Sequence, residues 1–336
     1  MQGLVDFARS TGASDLHLRP LWSQWLRGEP LSAADAHVTP PRATLEALPE
    51  LAARLAAIAR VRSEHPSADG STRLLVELAD GATVESVLLA REALCISTQV
   101  GCAVGCRFCK TGEGGLLRQL GSHELLAQVA LARARQSVKR IVLMGMGEPM
   151  HNLENVLEAL TWLGGPGRIA HKNIVFSTVG EPRVFERLLA HSVRPALALS
   201  LHTTDAALRE ELLPRAPRIE PADLLARACD YADRVTWPLQ VQWTLLEGVN
   251  DSDAEVARLV ELLRGRRAML NLIPWNPLEG FGFTRPDPLR ARDMVRALKA
   301  GGVFATIRRS GGQDVEGACG QLRARSLPAK RRPSAT

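Results

Sequence analysis

The sequence predicts an α/β protein built on a parallel sheet with helices outside it. Short apolar runs, rich in β-branched residues, alternate six times with amphipathic helical stretches between residues 94 and 299. A cysteine-rich loop follows the first of these runs, and polar residues follow most of the others. This alternation suits an open doubly wound sheet and a full or partial barrel equally, and both folds place their site at the carboxyl ends of the strands.

Residues 1–70 predict a small helical module. Apolar residues recur at helical spacing after Leu51, and prolines punctuate the neighbouring segments. Trp22 and Trp25 suit either an RNA-facing patch or the core of this module, and the core is the simpler interpretation. Residues 71–92 predict a β-hairpin connector, because two alternating runs flank an Asp-Gly pair.

Six βα units account for most of residues 93–322. The strands are predicted at residues 94–98, 140–146, 173–178, 196–202, 239–246 and 269–275. The helices are predicted at residues 122–136, 153–162, 182–191, 221–230, 253–264 and 286–299. A further strand and a glycine-rich loop follow from residue 304, and the basic tail at residues 323–336 predicts disorder.

Composition and charge limit the classes of function. The 336 residues are 46% hydrophobic, which is enough to bury a sizeable core. We find no secretory signal and no apolar run long enough to cross a bilayer, so we expect a cytoplasmic protein without a membrane partner. The formal net charge of +6 favours a polyanionic partner, whereas one Tyr and seven Phe argue against many aromatic stacking platforms.

The cysteine-rich loop predicts a metal cluster. Cys102, Cys106 and Cys109 form a CxxxCxxC pattern, and Gly101 and Gly105 keep the loop pliable. Thiolates are soft ligands for iron-sulfur clusters or zinc, and this spacing lets three sulfurs converge on one inorganic core. Three ligands on a four-iron cluster leave one iron open to chelate a substrate. This pattern is typical of radical S-adenosylmethionine enzymes.

A structural zinc site is the alternative, completed by a distant His or Cys. Such a site usually has a second matched ligand pair, and the isolated Cys229 and Cys319 do not supply one. We interpret Cys229 as a buried structural cysteine. Cys319 lies between Ala318 and Gly320, whose small size leaves the sulfur accessible, so we interpret it as a reactive thiol.

Polar residues and glycines at the carboxyl ends of the other predicted strands favour a shared pocket. They are Gly145, Gly147 and Glu148 after the second strand, Ser177 and Thr178 in the third, Ser200 and His202 in the fourth, and Asn276 after the sixth. Glu148 either caps a strand-to-helix turn or holds the ammonium group of a ligand. Together with the cysteine loop, these residues favour cofactor binding.

The chain resembles the radical S-adenosylmethionine RNA adenine methyltransferases of the RlmN/Cfr type. The matching stretches are residues 95–109, 144–152, 176–180, 199–202, 272–277 and 308–322. The resemblance implies a partial (β/α)6 barrel of the TIM type for residues 93–322, with a reactive-cysteine loop at its end. It also implies an RNA substrate, ribosomal RNA before transfer RNA, a reductant such as flavodoxin, and a monomer.

The resemblance implies two cofactors, a 4Fe-4S cluster and S-adenosylmethionine. The cluster is expected on Cys102, Cys106 and Cys109. S-adenosylmethionine is expected to contact Gly147, Glu148, Ser177, Ser200, Leu201, His202 and Asn276.

The resemblance also implies a methylcysteine route to carbon 2 or carbon 8 of adenine. Cys319 takes a methyl group from one S-adenosylmethionine, and a 5′-deoxyadenosyl radical from a second one removes hydrogen from it. Cys95 then releases the product through a transient disulfide with Cys319. Glu85 matches the proposed proton acceptor, and Cys95 competes for that step. A radical enzyme on a non-RNA substrate and a noncatalytic iron-sulfur RNA-binding protein are the alternatives.

Overall fold

The computed structural model describes residues 1–34, 38–278 and 280–308. Its strands are β1 (Ala59–Pro66), β2 (Thr72–Leu78), β3 (Thr83–Leu89), β4 (Ala93–Cys95), β5 (Gln99–Gly101), β6 (Leu116–Gln119), β7 (Arg140–Leu143), β8 (Ile174–Thr178), β9 (Ala196–Ser200), β10 (Leu239–Leu245), β11 (Ala268–Pro274) and β12 (Ala305–Ile307). Its α-helices are α1 (Gln2–Ser10), α2 (Asp15–Leu26), α3 (Arg42–Ala56), α4 (Lys110–Glu113), α5 (Ser122–Arg133), α6 (Leu153–Gly164), α7 (Pro182–Ala190), α8 (Ala206–Leu212), α9 (Pro221–Val235), α10 (Asp253–Leu263) and α11 (Pro288–Ala300). Short 3-10 helices cover Pro149–Asn152 and His171–Asn173.

The main sheet has the strand order β1-β2-β3-β4-β7-β8-β9-β10-β11-β12. The first four strands are antiparallel, and β4 to β12 of this sheet are parallel. The parallel strands follow one another in chain order without the reversal that defines a doubly wound sheet. Right-handed crossovers then place the helices on one side, as in a barrel. In the described part of the chain, no pairing of β1 with β12 closes the sheet. The predicted partial barrel is confirmed.

The two faces of the parallel strands are packed differently. The face toward the helices carries large buried side chains such as Phe176 and Trp243, which belong to the main core. The opposite face carries small ones such as Val175 and Ala198. Because successive residues of a strand point to opposite faces, each strand divides its side chains between a dense core and a lumen. The small inner side chains leave room for a cavity.

The N-terminal helices pack on the outside of the barrel. Trp22 and Trp25 are buried, so the prediction that they form core is confirmed. Trp22 meets Trp162 of α6 edge to face, with ring centroids 5.6 Å apart. Strand β1 was not predicted. Its exposed face carries Arg60, Arg62 and Glu64, and the residues between them are only half-buried, so the strand lacks the apolar alternation that indicates a strand. The hairpin of β2 and β3 was predicted, and β1 extends it to three strands.

A two-stranded sheet of β5 and β6 brackets the cysteine loop and was also not predicted. Its strands are three and four residues long, too short for a periodicity argument. The amide of Cys102 donates to the carbonyl of Gly115 at 3.0 Å, which ties the start of the loop to its end. In the described residues, no helix is both long and apolar enough to cross a lipid bilayer.

We predict that Gly101→Ala destabilises this loop. Gly101 has φ +85°, and an added Cβ would lie 2.0 Å from the carbonyl oxygen of Gly115. Left-handed strain and this backbone clash should lower the free energy of unfolding by about 2 kcal/mol or more. Urea denaturation measures the change. Gly114→Ala is the matched control, because its Cβ meets nothing within 4 Å. Equal effects of both changes would contradict the prediction.

Candidate active site

A cavity of about 630 Å³ lies on the inner face of the parallel strands. It brings together most of the residues singled out from the sequence. They are Cys95, Cys102, Cys106, Cys109, Gly147, Glu148, Ser177, Ser200 and His202. The carboxyl ends of four parallel strands therefore converge on one site, as the positions of these residues in the sequence predicted.

Of the expected catalytic and cofactor-binding residues, three described ones do not line the cavity, and a fourth is not among the described residues. Leu201 is fully buried in the main core, and its amide donates to the carbonyl of Gln242 at 3.1 Å. Asn276 is half-buried beyond the end of β11 and does not line the cavity. Glu85 is buried and paired with Arg73 at 2.9 Å, and it is Arg73 that lines the cavity. The fourth, Cys319, lies outside the described residues.

The cysteine loop is held by groups from distant parts of the chain. The indole Nε1 of Trp275, after β11, donates to the carbonyl of Phe108 at 2.9 Å. The guanidinium of Arg215, after α8, donates to the carbonyl of Ala103 at 3.1 Å. Gly105 adopts φ +67°, a left-handed conformation that glycine adopts without strain. The loop is therefore held by the barrel and by the segment after α8. Helix α8 itself is not among the helices predicted from the sequence.

The three loop thiols fit a metal cluster. Burial raises the pKa of Cys102 to about 12 and also raises the pKa values of Cys106 and Cys109. Repulsion from the neighbouring thiolates raises the pKa values of Cys102 and Cys106 further. The three thiols are half-buried, and thiolates in such a setting need a cationic partner, which a bound cluster supplies. In the described ranges, no three His, Cys, Asp or Glu side chains are grouped to hold a metal ion. A four-iron cluster binds each thiolate at a different iron, so its ligands do not share one ion.

Glu148 is a buried carboxylate at the carboxyl end of the second parallel strand. Its two oxygens accept the amide hydrogens of Met150 at 3.2 Å and Val179 at 3.0 Å. Burial raises its pKa to about 7, and the hydrogen bonds from Thr178, Val179 and Met150, with the charge of Arg209, limit that rise. A ligand ammonium in the cavity would favour the ionised form.

Gly147 is required by the packing of the protein itself. Its φ is +106°, and an added Cβ would lie 2.7 Å from Gln99 Cβ and from Thr98 Oγ1. The next amide, of Glu148, donates to Gln99 Oε1 at 2.8 Å. The glycine thus lets the strand-end turn pass close to the segment that leads into the cysteine loop.

His202 is held as a neutral side chain. Its Nδ1 accepts the amide hydrogen of Thr244 at 2.9 Å, so Nε2 carries the ring proton. Burial, aided by the positive charge of Arg209, lowers its pKa to about 3. Its ring meets that of Phe108 edge to face, with centroids 4.8 Å apart. His202 has φ +66°, and Asn250 Nδ2 donates to its carbonyl at 2.7 Å.

Arg209, on α8, is a site residue that the sequence analysis missed. It is 3% exposed, and its guanidinium donates to the carbonyls of Val179 at 2.5 Å, Pro217 at 3.4 Å and Ser200 at 3.5 Å. Burial lowers its pKa to about 10. Because the amide of Val179 binds Glu148, Arg209 links the carboxylate to the end of β9. An arginine in a short unpredicted helix gave no sequence signal of this role.

Cys95 faces the middle of the cavity beside two cations. Burial raises its pKa to about 11, and the positive charges of Arg308 and Arg73 oppose that rise. The Arg308 guanidinium reaches the sulfur of Met144 at 3.8 Å, and its amide donates to the carbonyl of Leu272 at 2.8 Å. Arg308 is a second site residue to which the sequence analysis gave no role.

We predict that Glu148→Gln changes how stability depends on pH. The folded protein keeps the Glu148 proton up to about pH 7, whereas the unfolded chain releases it near pH 4.5. The wild type therefore loses stability as the pH rises through this interval, and the variant does not. Relative to wild type, the variant should gain up to ~3 kcal/mol between these limits. Urea denaturation of cofactor-free protein across this pH range measures the difference.

The control is Glu154→Gln, at an exposed position of α6. A difference between Glu148→Gln and wild type that stays constant with pH would show that Glu148 is ionised in the folded protein, and would contradict the prediction.

Comparisons with known proteins identify the family. The sequence profile described as the radical SAM superfamily matches residues 96–260. A probable RNA methyltransferase of Methylibium petroleiphilum is 58% identical over 97% of this chain and 93% of its own length. Another, of Ectopseudomonas mendocina, is 56% identical over 94% of this chain and 92% of its own.

A solved structure agrees with the sequence relatives. The crystal structure of a radical SAM methyltransferase from Sphaerobacter thermophilus is 33% identical and has a TM-score of 0.83, covering 95% of this chain and 96% of its own. The resemblance found in the sequence is thereby confirmed at the level of the family. The chain belongs to the radical SAM superfamily, in the family that includes these methyltransferases.

Proposed function

We propose that this protein methylates carbon 2 or carbon 8 of adenine in RNA through a methylcysteine. The observation that carries the proposal is one cavity in which three cluster-binding thiols, the carboxylate of Glu148 and the thiol of Cys95 converge. The relatives that align over nearly the whole chain are named as probable RNA methyltransferases. Enzymes of the superfamily use a 4Fe-4S cluster and S-adenosylmethionine, and the donor set of this cavity suits both.

The residues of the cofactor end have separate roles in this proposal. When bound, the two cofactors supply an electron, a methyl group and a carbon-centred radical. Cys102, Cys106 and Cys109 hold the cluster through three thiolates. Glu148, once ionised, binds the amino group of S-adenosylmethionine, and neutral His202 donates a hydrogen bond from Nε2.

Ser177 and Ser200 are proposed to bind the same cofactor from neighbouring strands. Both line the cavity, at the ends of β8 and β9. The structure brings neither Leu201 nor Asn276 to the cavity wall, so we assign no cofactor contact to their side chains.

The methyl group is proposed to reach RNA on Cys319, and Cys95 is proposed to resolve the product. Cys95 faces the cavity, and the cations Arg308 and Arg73 limit the rise in its pKa that burial causes, which aids formation of the thiolate that attacks Cys319. Glu85 is separated from the cavity wall by its partner Arg73. This placement favours Cys95 over Glu85 for removal of the adenine ring proton, and Glu85 positions Arg73 at the cavity wall.

The remaining partners follow from the same proposal. Ribosomal RNA is the first candidate substrate and transfer RNA the second. Flavodoxin or a similar protein supplies electrons, and the enzyme acts as a monomer in the cytoplasm. In the described residues Cys95, Cys102, Cys106, Cys109 and Cys229 are all free, as a reducing compartment requires.

Isotope labelling tests the reaction. After anaerobic reaction with deuterated-methyl S-adenosylmethionine, ribosomal and transfer RNA are digested separately and their nucleosides analysed by mass spectrometry. We expect a ring-carbon methyladenosine whose methyl group carries two deuterium atoms, because one is lost to the deoxyadenosyl radical. A methyl group with three deuterium atoms would indicate ordinary polar transfer, and 5′-deoxyadenosine without labelled RNA would indicate a different substrate.

Cysteine variants link the reaction to the cluster. Cys106→Ala should lose both the visible absorption of the reconstituted cluster and all RNA methylation, because one of three ligands is missing. Cys229→Ala is the matched control, since Cys229 is buried in α9 and does not line the cavity. Equal loss of absorption in both variants would contradict the assignment of the loop.

Variants of Cys95 and Cys319 should stop the reaction at different steps. We predict that Cys319→Ala abolishes methylation and retains the cluster, because the methyl carrier is lost. Cys95→Ala should instead leave protein covalently bound to RNA, because the resolving thiol is missing. A denaturing gel reveals this adduct by its sensitivity to ribonuclease. Methylation by Cys319→Ala, or no adduct with Cys95→Ala, would contradict the respective role.

A further inference from the structure

The cavity runs the length of the parallel strands and has two different ends. At the carboxyl ends of the strands it is lined by the three loop cysteines. At the amino ends it is lined by Ala90 and Arg91, which lie in the turn between β3 and β4, and by Asp69 and Ser71, which precede β2. β2 and β3 are antiparallel, and Thr72 pairs with Leu88, so the start of β2 lies at the same edge as the end of β3. The lumen therefore reaches the surface at the edge opposite the cysteine loop.

Basic side chains gather at this amino-terminal edge. Strands β4, β7, β8, β9 and β11 are parallel, so the residues just before them lie along one edge. Six exposed cations occupy those positions and form what we call the basic edge: Arg91, Lys139, Lys172, Arg194, Arg266 and Arg267. From β4 to β11 the sheet makes five steps of about 4.8 Å, so the basic edge extends over about 24 Å.

The cations of the basic edge are largely without acidic partners. In the described part of the chain, Lys139 pairs with Glu92 at 2.8 Å, and none of the other five lies within ion-pair distance of a carboxylate. Two cations of the opposite edge are paired, Arg107 with Glu211 at 3.1 Å and Arg218 with Glu210 at 3.5 Å, and Arg215 donates to the carbonyl of Ala103. The positive charge of the barrel is thus available at the edge away from the cysteine loop.

Arg91 is presented to the lumen by a strained turn. Arg91 and Glu92 adopt φ of +61° and +57°, and two successive non-glycine residues in this region carry a cost that the fold must offset. The offset is visible at Glu92, whose carbonyl accepts the amides of Lys139 at 2.8 Å and Arg140 at 3.1 Å. Arg91 makes no hydrogen bond or ion pair with another described residue, and it lines the cavity. Strain held in this way is typical of residues that bind a ligand.

We propose that RNA docks on the basic edge and that its target nucleotide enters the lumen past Arg91, from the side opposite the cluster. This inference rests on the proposed RNA substrate. Phosphates of the strand bind the row of cations, which fixes the position of the RNA without reading its sequence. A nucleotide turned out of its helix then extends into the cavity toward Cys95. The cofactors occupy the carboxyl-terminal end, and substrate and cofactors do not compete for one entrance.

The salt dependence of RNA binding tests the proposal. Binding of bulk transfer RNA and of a short oligoadenylate is measured across salt concentrations for Lys172→Gln/Arg194→Gln and for the matched control Arg107→Gln/Arg218→Gln. Both double variants remove two positive charges. We expect the basic-edge variant to bind more weakly and the slope of log K against log salt to fall by about 0.7 per lost phosphate contact. The control should keep the wild-type slope.

The outcomes separate the two proposals. If wild type binds neither RNA, the proposed function and this inference both fail. If wild type binds RNA but the control variant loses affinity and the basic-edge variant does not, only the docking surface is wrong. Binding is measured without cofactors, so it does not depend on activity.

Arg91 has a test of its own. Arg91→Gly relieves the left-handed strain and should raise Tm, while RNA affinity falls and the salt slope decreases. Arg91→Lys keeps the charge and should retain most of the affinity. A purely structural Arg91 would show unchanged RNA binding in both variants, which would overturn its assigned role.

Discussion

The burial of charge at the carboxyl ends of the strands is the constraint on which the site depends. Glu148, at the end of β7, is satisfied by the amide of Val179, whose carbonyl accepts from Arg209. Arg209 also reaches the carbonyl of Ser200 at 3.5 Å. The Glu148 carboxyl group and the Arg209 guanidinium are thus buried on either side of Val179, and the charge of Arg209 limits the rise in the pKa of Glu148. These contacts link the segments that follow β7 and β8 to the end of β9.

Because the strands are pleated, the side chains that stabilise the core and those that line the cavity lie on opposite faces of the sheet. Phe176 and Trp243 face the helices and fill the core, whereas Ser177 and Gln242, one residue away, line the cavity. A one-residue shift in register would exchange the two sets. The dense outer packing therefore fixes the inner side chains, although those side chains contribute little apolar contact themselves. This division lets the lumen hold polar and titratable groups at low cost to the fold.

Sequence patterns predicted the parts of the protein whose physical signal is local. Buried parallel strands are apolar on both faces, so all six predicted strands of the barrel were found within three residues of their observed ends. The sequence also predicted that the cysteine loop and Glu148 share a pocket, because their residue types are unusual at strand ends, and both line the cavity. Strand β1 was missed because charged residues occupy its exposed face, and β5 and β6 because they are too short. Arg209 and Arg308 were missed because the sequence alone does not distinguish a buried arginine from an exposed one.

The position of Cys95 shows why a lumen with two ends suits radical chemistry. Cys95 pairs in register with Val142 on one side and Val87 on the other, so it lies on the inner face between the cysteine loop and Arg91. At the carboxyl-terminal end the three loop thiols are half-buried, and burial is the largest cause of the rise in their pKa values. Excluding water from that end protects a reactive carbon radical, and a charged RNA strand cannot enter such a region without losing its hydration. A substrate that keeps its phosphates at the basic edge and inserts only a base satisfies both requirements.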